Sequence, residues 1–210
     1  MTREEQAKLD IIAQAALSTL PTLYFSFDAA ETIINEGIEG DMVECGVYAG
    51  AQCAAMALAV QKHQDKRKIH LFDSFEGIPQ AGPNDDPCLS GESVSSIENT
   101  QHFMKLWGID PERLVYHKGW FKDTIAFCGI DKIAILRLDG DLYESTKICL
   151  RGLYPALVKK GFCIIDDYAL SGCKKAVSKY FCDLVITKKG KLPEFIPIKG
   201  GHGPVWFRKS

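Results

Sequence analysis

From residue 41 onward, short apolar runs alternate with longer helical stretches. This alternation restricts the chain to an open α/β sheet of parallel strands joined by crossovers. Strands are expected from Met42 into the turn at Gly46, then over Ile69–Phe72, Leu114–His117, Lys132–Leu138 and Phe162–Ile165. Helices are expected over Ala51–Val60, Ile97–Trp107, Ser145–Leu157 (capped by Ser145 or Thr146) and Ser171–Phe181 (capped by Ser171). Two final strand candidates, Phe195–Ile198 and Val205–Arg208, flank Gly200-Gly201 and suit an antiparallel hairpin at the sheet edge. Ahead of the sheet, residues 3–19 carry Leu9, Ile12, Ala16 and Leu20 at helical spacing, closed by Pro21. A second helix is read over Asp28–Asn35, with Ser26 as cap and Gly37 as stop. Residues 1–40 thus form a helical extension that packs on the core, covers a pocket or builds a dimer interface.

Ligands of open α/β sheets bind outside the carboxyl ends of the strands. Acids collect there in this chain. Asp139 follows Ile133-Ala134-Ile135-Leu136, and Asp166 and Asp167 follow Phe162-Cys163-Ile164-Ile165. Adjacent carboxylates repel and are costly to desolvate, and a bound divalent cation offsets both penalties. Oxygen donors suit a hard ion, so Asp139, Asp166 and Asp167 are candidate Mg²⁺ ligands. Asp141 stands two residues past Asp139, across Gly140, and is a candidate general base. The competing readings of Asp141 are a fourth ligand, or an acid neutralised by Arg137 or Lys147.

The first strand ends in Glu44-x-Gly46-x-x-x-Gly50, and an apolar helix follows. Glycines permit a sharp turn and a close backbone approach, and the helix N-terminus offers free N–H groups to an anion. The pattern is neither the dinucleotide fingerprint nor a P-loop. An acid ahead of the first glycine suits a cofactor with an amino group or positive charge, such as S-adenosylmethionine. Asp73, ending the second strand, is placed to bind ribose hydroxyls. Gly119-Trp120-Phe121 ends the third strand, where Trp120 either packs on an adenine face or anchors the core. Residues 76–96 are rich in Gly, Pro and Asp and read as a lid loop.

The length of 210 residues fits one domain, residues 1–210, and a net charge of −2 gives no case for nucleic acid or anionic membrane. No apolar run has the length of a membrane span, and the polar N-terminus is unlike a signal peptide. The eight cysteines are scattered and lack C-x-x-C, which fits buried thiols in a cytoplasmic protein. The five histidines lack ligand spacing; His102, just beyond the lid, is the one worth testing.

The chain resembles the macrocin O-methyltransferase (TylF-like) family. The resemblance is carried by Gly40-Asp41-Met42-Val43-Glu44-Cys45-Gly46-Val47, by Phe72-Asp73-Ser74-Phe75-Glu76-Gly77-Ile78-Pro79, and by Lys118-Gly119-Trp120-Phe121-Lys122-Asp123-Thr124. Its most specific parts are Leu136-Arg137-Leu138-Asp139-Gly140-Asp141-Leu142-Tyr143-Glu144-Ser145-Thr146 and Ile164-Ile165-Asp166-Asp167-Tyr168. The resemblance implies a class I methyltransferase (Rossmann-like) fold with helices on both faces, S-adenosylmethionine, Mg²⁺, homo-oligomers such as a dimer, and a sugar or glycoside acceptor. It implies Asp139, Asp166 and Asp167 as metal ligands, Asp141 as base, and Glu44, Gly46 and Asp73 as cofactor residues. Gly50, Ser74, Gly119 and Trp120, at the same strand ends, complete the expected cofactor set. Two departures stand out. Where the family commonly has paired glycines and a serine, this chain has Gly50-Ala51-Gln52-Cys53, and its N-terminal region is shorter. A macrolide acceptor therefore does not follow; a smaller sugar, free or nucleotide-linked, fits as well. Two rival readings remain: a metal-dependent phosphohydrolase, because clustered aspartates also build such sites, and a non-catalytic cofactor-binding scaffold.

Overall fold

Five strands run parallel: β1 (Asp41–Cys45), β2 (Ile69–Asp73), β3 (Leu114–Lys118), β4 (Ile133–Leu138) and β5 (Leu157–Ile165). They belong to one sheet with β6 (Ile196–Pro197) and β7 (Val205–Arg208), ordered β3-β2-β1-β4-β5-β7-β6. The last two are antiparallel, β7 pairing with both β5 and β6. The computed structural model describes residues 1–187 and 189–210. The architecture is the expected Rossmann-like sheet, mostly parallel, with its C-terminal antiparallel hairpin.

The chain winds from β1 out to β3, then returns to place β4 on the other side of β1. The strand order therefore reverses between β1 and β4, and a crevice opens above their carboxyl ends. The backbone ladder continues past those ends. Gly46 N–H donates to Phe72 O (2.9 Å), Asp139 N–H to Cys45 O (2.8 Å) and Asp166 N–H to Leu138 O (2.8 Å). This continuation fixes where the acids after each strand emerge.

Each face of the sheet is covered. Met42, Leu71, Ile135 and Ile164 pack under α2 (Leu20–Asn35) and α3 (Ala51–Lys62). Val43, Phe72, Leu136 and Ile165 pack under α6 (Tyr143–Leu153) and α7 (Ser171–Ile186), while α4 (Ile97–Leu106) and the short α5 (Phe121–Thr124) lie on the connections before and after β3. The central strands are buried on both faces, which is why they read as continuous apolar runs. Each fully buried Leu or Ile there contributes roughly 1.5–3 kcal/mol. Against that sum, local cap preferences are small.

The helix boundaries show this. The first helix, α1 (Arg3–Ile12), is shorter than the spacing suggests and ends in a 3-10 turn over Ala13–Ala15. Pro21 does not close it. It lies in the first turn of α2, where its missing N–H is an orphan donor in any case. Ser26, expected as a cap, is buried inside α2. Similarly, α6 starts at Tyr143 rather than Ser145, and neither Ser145 nor Ser171 caps by its side chain. The last strand of the parallel set also starts early, at Leu157, with a register shift against β4. Its solvent-facing Lys159 and Lys160 hid it from the apolar pattern; Lys160 N–H instead bonds Lys209 O (2.7 Å).

Candidate active site

A cavity of about 520 Å³ opens above the carboxyl ends of β1, β2, β4 and β5. Three residues other than glycine adopt left-handed backbone just past three of those strands: Tyr48 (φ 50°), Phe75 (φ 59°) and Asp141 (φ 59°). Such conformations are costly for L-residues and concentrate where the chain must aim groups into a site.

The turn after β1 supplies one wall. Gly46 is required by the fold, since a Cβ there would lie 1.6 Å from the Asp139 carbonyl oxygen, and its φ is +89°. Gly50 is required by α4 (Ile97–Leu106): an added Cβ would meet Met104 Cε at 2.5 Å and Thr100 Cγ2 at 2.9 Å. The close approaches of both glycines are therefore to protein atoms, and Gly50 does not reach the cavity surface. Asp73 organises the turn from β2. Its Oδ2 accepts from Val47 N–H (2.7 Å) and Tyr48 N–H (3.0 Å), and its Oδ1 from Phe75 N–H (2.7 Å). Glu44 reaches the cavity wall from below, nearly fully buried; Oε1 accepts from Arg137 Nε (3.0 Å) and Oε2 from Cys53 Sγ (2.8 Å). Burial pushes its carboxyl up to about 7, against the pull of Arg137.

At the two departures from the family pattern, Ala51 and Gln52 both line the cavity. Gln52 Nε2 donates to Ser18 Oγ (2.6 Å) and Thr22 Oγ1 (3.2 Å), tying α3 to the first turn of α2 and to the segment ahead of it. Residues 15–18 of that segment form part of the wall. The N-terminal extension thus both packs on the core and covers the pocket.

The opposite wall holds the acids. Asp139, Asp166 and Asp167 each offer a carboxylate oxygen within 4.8 Å of the other two. Arg137 lies behind them, with no exposed surface; one Nη2 donates to Asp166 Oδ1 (2.6 Å) and Asp139 Oδ2 (3.2 Å). Asp167 Oδ2 accepts from the Asp141 N–H at 2.7 Å. One oxygen of each carboxylate is held in this way, and the other has no hydrogen bond among the described residues. Burial pushes the Asp139 and Asp167 carboxyls well above the ordinary range; Asp166 adds to both, Asp167 to the former and Asp141 to the latter. Burial alone would lower Arg137, but Asp166, Asp139 and Glu44 outweigh it and keep the guanidinium charged. With all of them ionised, one guanidinium would face Glu44 and the three aspartates, an excess of negative charge that a bound cation would offset. An all-oxygen donor set of this kind fits a hard divalent cation. Asp141 also lines the cavity, and burial, then Asp166 and Asp73, push its carboxyl up to about 6.

The remaining expected residues divide. Ser74 and Trp120 line the cavity, whereas Gly119 does not; its N–H continues the ladder to Asp73 O (2.9 Å). No histidine lines the cavity among the described residues. The loop over residues 76–96 stands at the mouth, contributing Ile78, Pro79 and Gln80. It is pinned by Asp85, whose Oδ1 accepts from the Tyr143 N–H at the start of α6 (2.7 Å) and sits where a Cβ on Gly172 would be, at 1.9 Å.

Sequence reasoning named Arg137 only as a possible partner of Asp141 and missed its place against Glu44, Asp139 and Asp166; it missed Asp85 as part of the site altogether. A signal for the first existed. Glu44 and Arg137 are opposite charges set among apolar strand residues, each two residues before a strand-end feature. Asp85 gave none, because its partner is a main-chain N–H far along the chain.

Comparison with known proteins finds relatives in both sequence and fold. Residues 23–189 match the family model described as Macrocin-O-methyltransferase (TylF). The chain is 36% identical over 159 residues to the 8-demethyl-8-(2,3-dimethoxy-alpha-L-rhamnosyl)-tetracenomycin-C 4'-O-methyltransferase of Streptomyces olivaceus, covering 71% of this chain and 61% of that protein. It is 36% identical over 160 residues to the demethyldecarbamoylnovobiocin O-methyltransferase of Streptomyces niveus, with the same shares covered. The chain therefore spans about three fifths of the length of these curated relatives. The solved structure of the O-methyltransferase NovP superposes with a TM-score of 0.82 at 31% identity, over 93% of this chain and 84% of that one.

Proposed function

The chain belongs to the macrocin-O-methyltransferase (TylF) family, and on that premise we propose that it moves a methyl group from S-adenosylmethionine to a hydroxyl of a sugar or glycoside. The observation that carries this reading is one cavity walled on one side by the glycine turn with Asp73 and on the other by the carboxylate trio. The relative from Streptomyces olivaceus, whose name specifies a rhamnosyl tetracenomycin, supports a sugar-bearing acceptor.

Glu44, Gly46, Asp73, Ser74 and Trp120 would form the cofactor side, with Gly50 and Gly119 setting the backbone beneath them. Asp139, Asp166 and Asp167 would hold Mg²⁺. A methyl sulfonium supplies the electrophile, and a divalent ion lowers the pKa of a nearby hydroxyl, an effect worth several kcal/mol. Asp141 takes the hydroxyl proton on its carboxylate. With a pKa near 6 it is ionised at neutral pH yet basic enough to accept a proton. The loop over residues 76–96 acts as the lid, excluding water while the acceptor is held in line.

Calorimetry with S-adenosylhomocysteine, with and without Mg²⁺, tests the cofactor assignment: heat of binding is expected, and its absence in both cases rejects the reading. Mass spectrometry of glycosides and sugar nucleotides incubated with S-adenosylmethionine then reads the transfer, as an added methyl group that disappears with EDTA.

A further inference from the structure

Arg137 is a cation with none of its surface exposed, on a strand whose other side chains are apolar. Burial of that kind is heavily penalised unless neighbouring charges compensate. The sheet register supplies them. Glu44 on β1 pairs with Arg137 on β4, and Arg137 with Ile164 on β5, so the three side chains share a face. Asp139 and Asp166 lie two residues beyond the latter two, and the guanidinium reaches both. It bridges three carboxylates from three adjacent strands, at 3.0 Å, 3.2 Å and 2.6 Å. Its remaining nitrogen, Nη1, is buried without a hydrogen-bond partner among the described residues, so the group is held by these acids rather than by its own full satisfaction.

We propose that Arg137 is a positioning residue: an internal counter-ion that keeps Asp139 and Asp166 assembled when no divalent ion is bound, holding one oxygen of each and leaving the other open. The inference rests on the metal reading above. With the guanidinium removed, Glu44, Asp139, Asp166 and Asp167 would face one another with no buried cation among them, and an added divalent ion would become the group that holds them together. Lysine restores the charge but not the planar fork that reaches several carboxylates at once.

The test uses the full chain and its Arg137→Met and Arg137→Lys variants. Thermal unfolding is followed in EDTA and in saturating Mg²⁺, and Mn²⁺ binding is titrated by electron paramagnetic resonance. The wild type should bind Mn²⁺ and lose little stability in EDTA. The Mg²⁺-induced rise in Tm should be at least about threefold larger for Arg137→Met, with Arg137→Lys intermediate, because an ion that binds only the folded state stabilises it by mass action. A variant that folds only when Mg²⁺ is present counts as the same result in stronger form. Equal loss of Tm with and without Mg²⁺, or failure of both variants to fold even in Mg²⁺, overturns the inference alone. A wild type that binds no Mn²⁺ overturns the metal reading and the inference with it.

Discussion

In the wall built by the glycine turn, both oxygens of each acid already carry a hydrogen bond within the protein. Asp73 uses both oxygens on three main-chain N–H groups, and Glu44 uses both on Arg137 and Cys53. In the wall built by β4 and β5, Asp139, Asp166 and Asp167 each keep one oxygen without a hydrogen bond among the described residues. A carboxylate with both oxygens engaged by fixed donors shapes the backbone around it and keeps only its spare lone pairs for a ligand. One with an unengaged oxygen in a crowded, half-buried setting is poised to take a ligand. The first wall is thus a mould and the second a grip, although both follow from acids at strand ends. Arg137 touches both walls, through Glu44 on one side and Asp139 and Asp166 on the other.

The contrast can be broken at its seam. Gly46→Ala puts a methyl group into the Asp139 carbonyl at left-handed backbone, so both walls should fail together. The loss should exceed about 4 kcal/mol, beyond the range of ordinary substitutions. Urea denaturation reads it, and a midpoint like that of the wild type would mean that the walls are not locked to each other. Asp139→Asn tests the grip alone. Mg²⁺-dependent turnover should fall on the order of 10³ or more, while S-adenosylhomocysteine affinity, measured by calorimetry, stays near that of the wild type. Equal losses in both would erase the division of labour.

Smaller effects sharpen the contrast. Asp141→Asn should slow methyl transfer by about 10², the low end for a general base. Because the Asp141 carboxyl is raised to about 6, the wild-type rate should fall as pH drops through that value and the base becomes protonated. That acid limb should be missing from the variant; a superimposable pH profile would assign the proton to another group. Asp85→Ala removes the carboxylate that pins the loop to α6. Losing a cap of this kind costs about 1 kcal/mol, or roughly a fivefold rise in the open population. Limited proteolysis between Gly82 and Gly91 should speed up accordingly, and unchanged cleavage would show that the loop is held elsewhere.

Much of this was legible beforehand, for reasons that differ by residue. Asp139, Asp166 and Asp167 were readable because a strand's carboxyl end is a local property: an apolar run stops and an acid follows. The hairpin was readable from Gly200-Gly201 between two short apolar runs. Helix starts were less so. Pro21 is compatible with closing one helix or opening the next, and packing of Leu23 and Phe27 against the sheet decided for opening. The glycines were recognised as necessary, but the atoms that demand them were not, since Met104 lies 54 residues beyond Gly50 in the chain.

The sequence alone settled the alternation of strands and helices, the acids at the strand ends and the turn that opens α3, because each is written in the spacing of neighbouring residues. Tertiary structure decided which of those acids would be bonded away and which left open. Glu44 and Arg137 are separated by 93 positions and meet only because β4 inserts beside β1. Strand order is fixed by burial summed over the whole sheet, and no local pattern carries that sum.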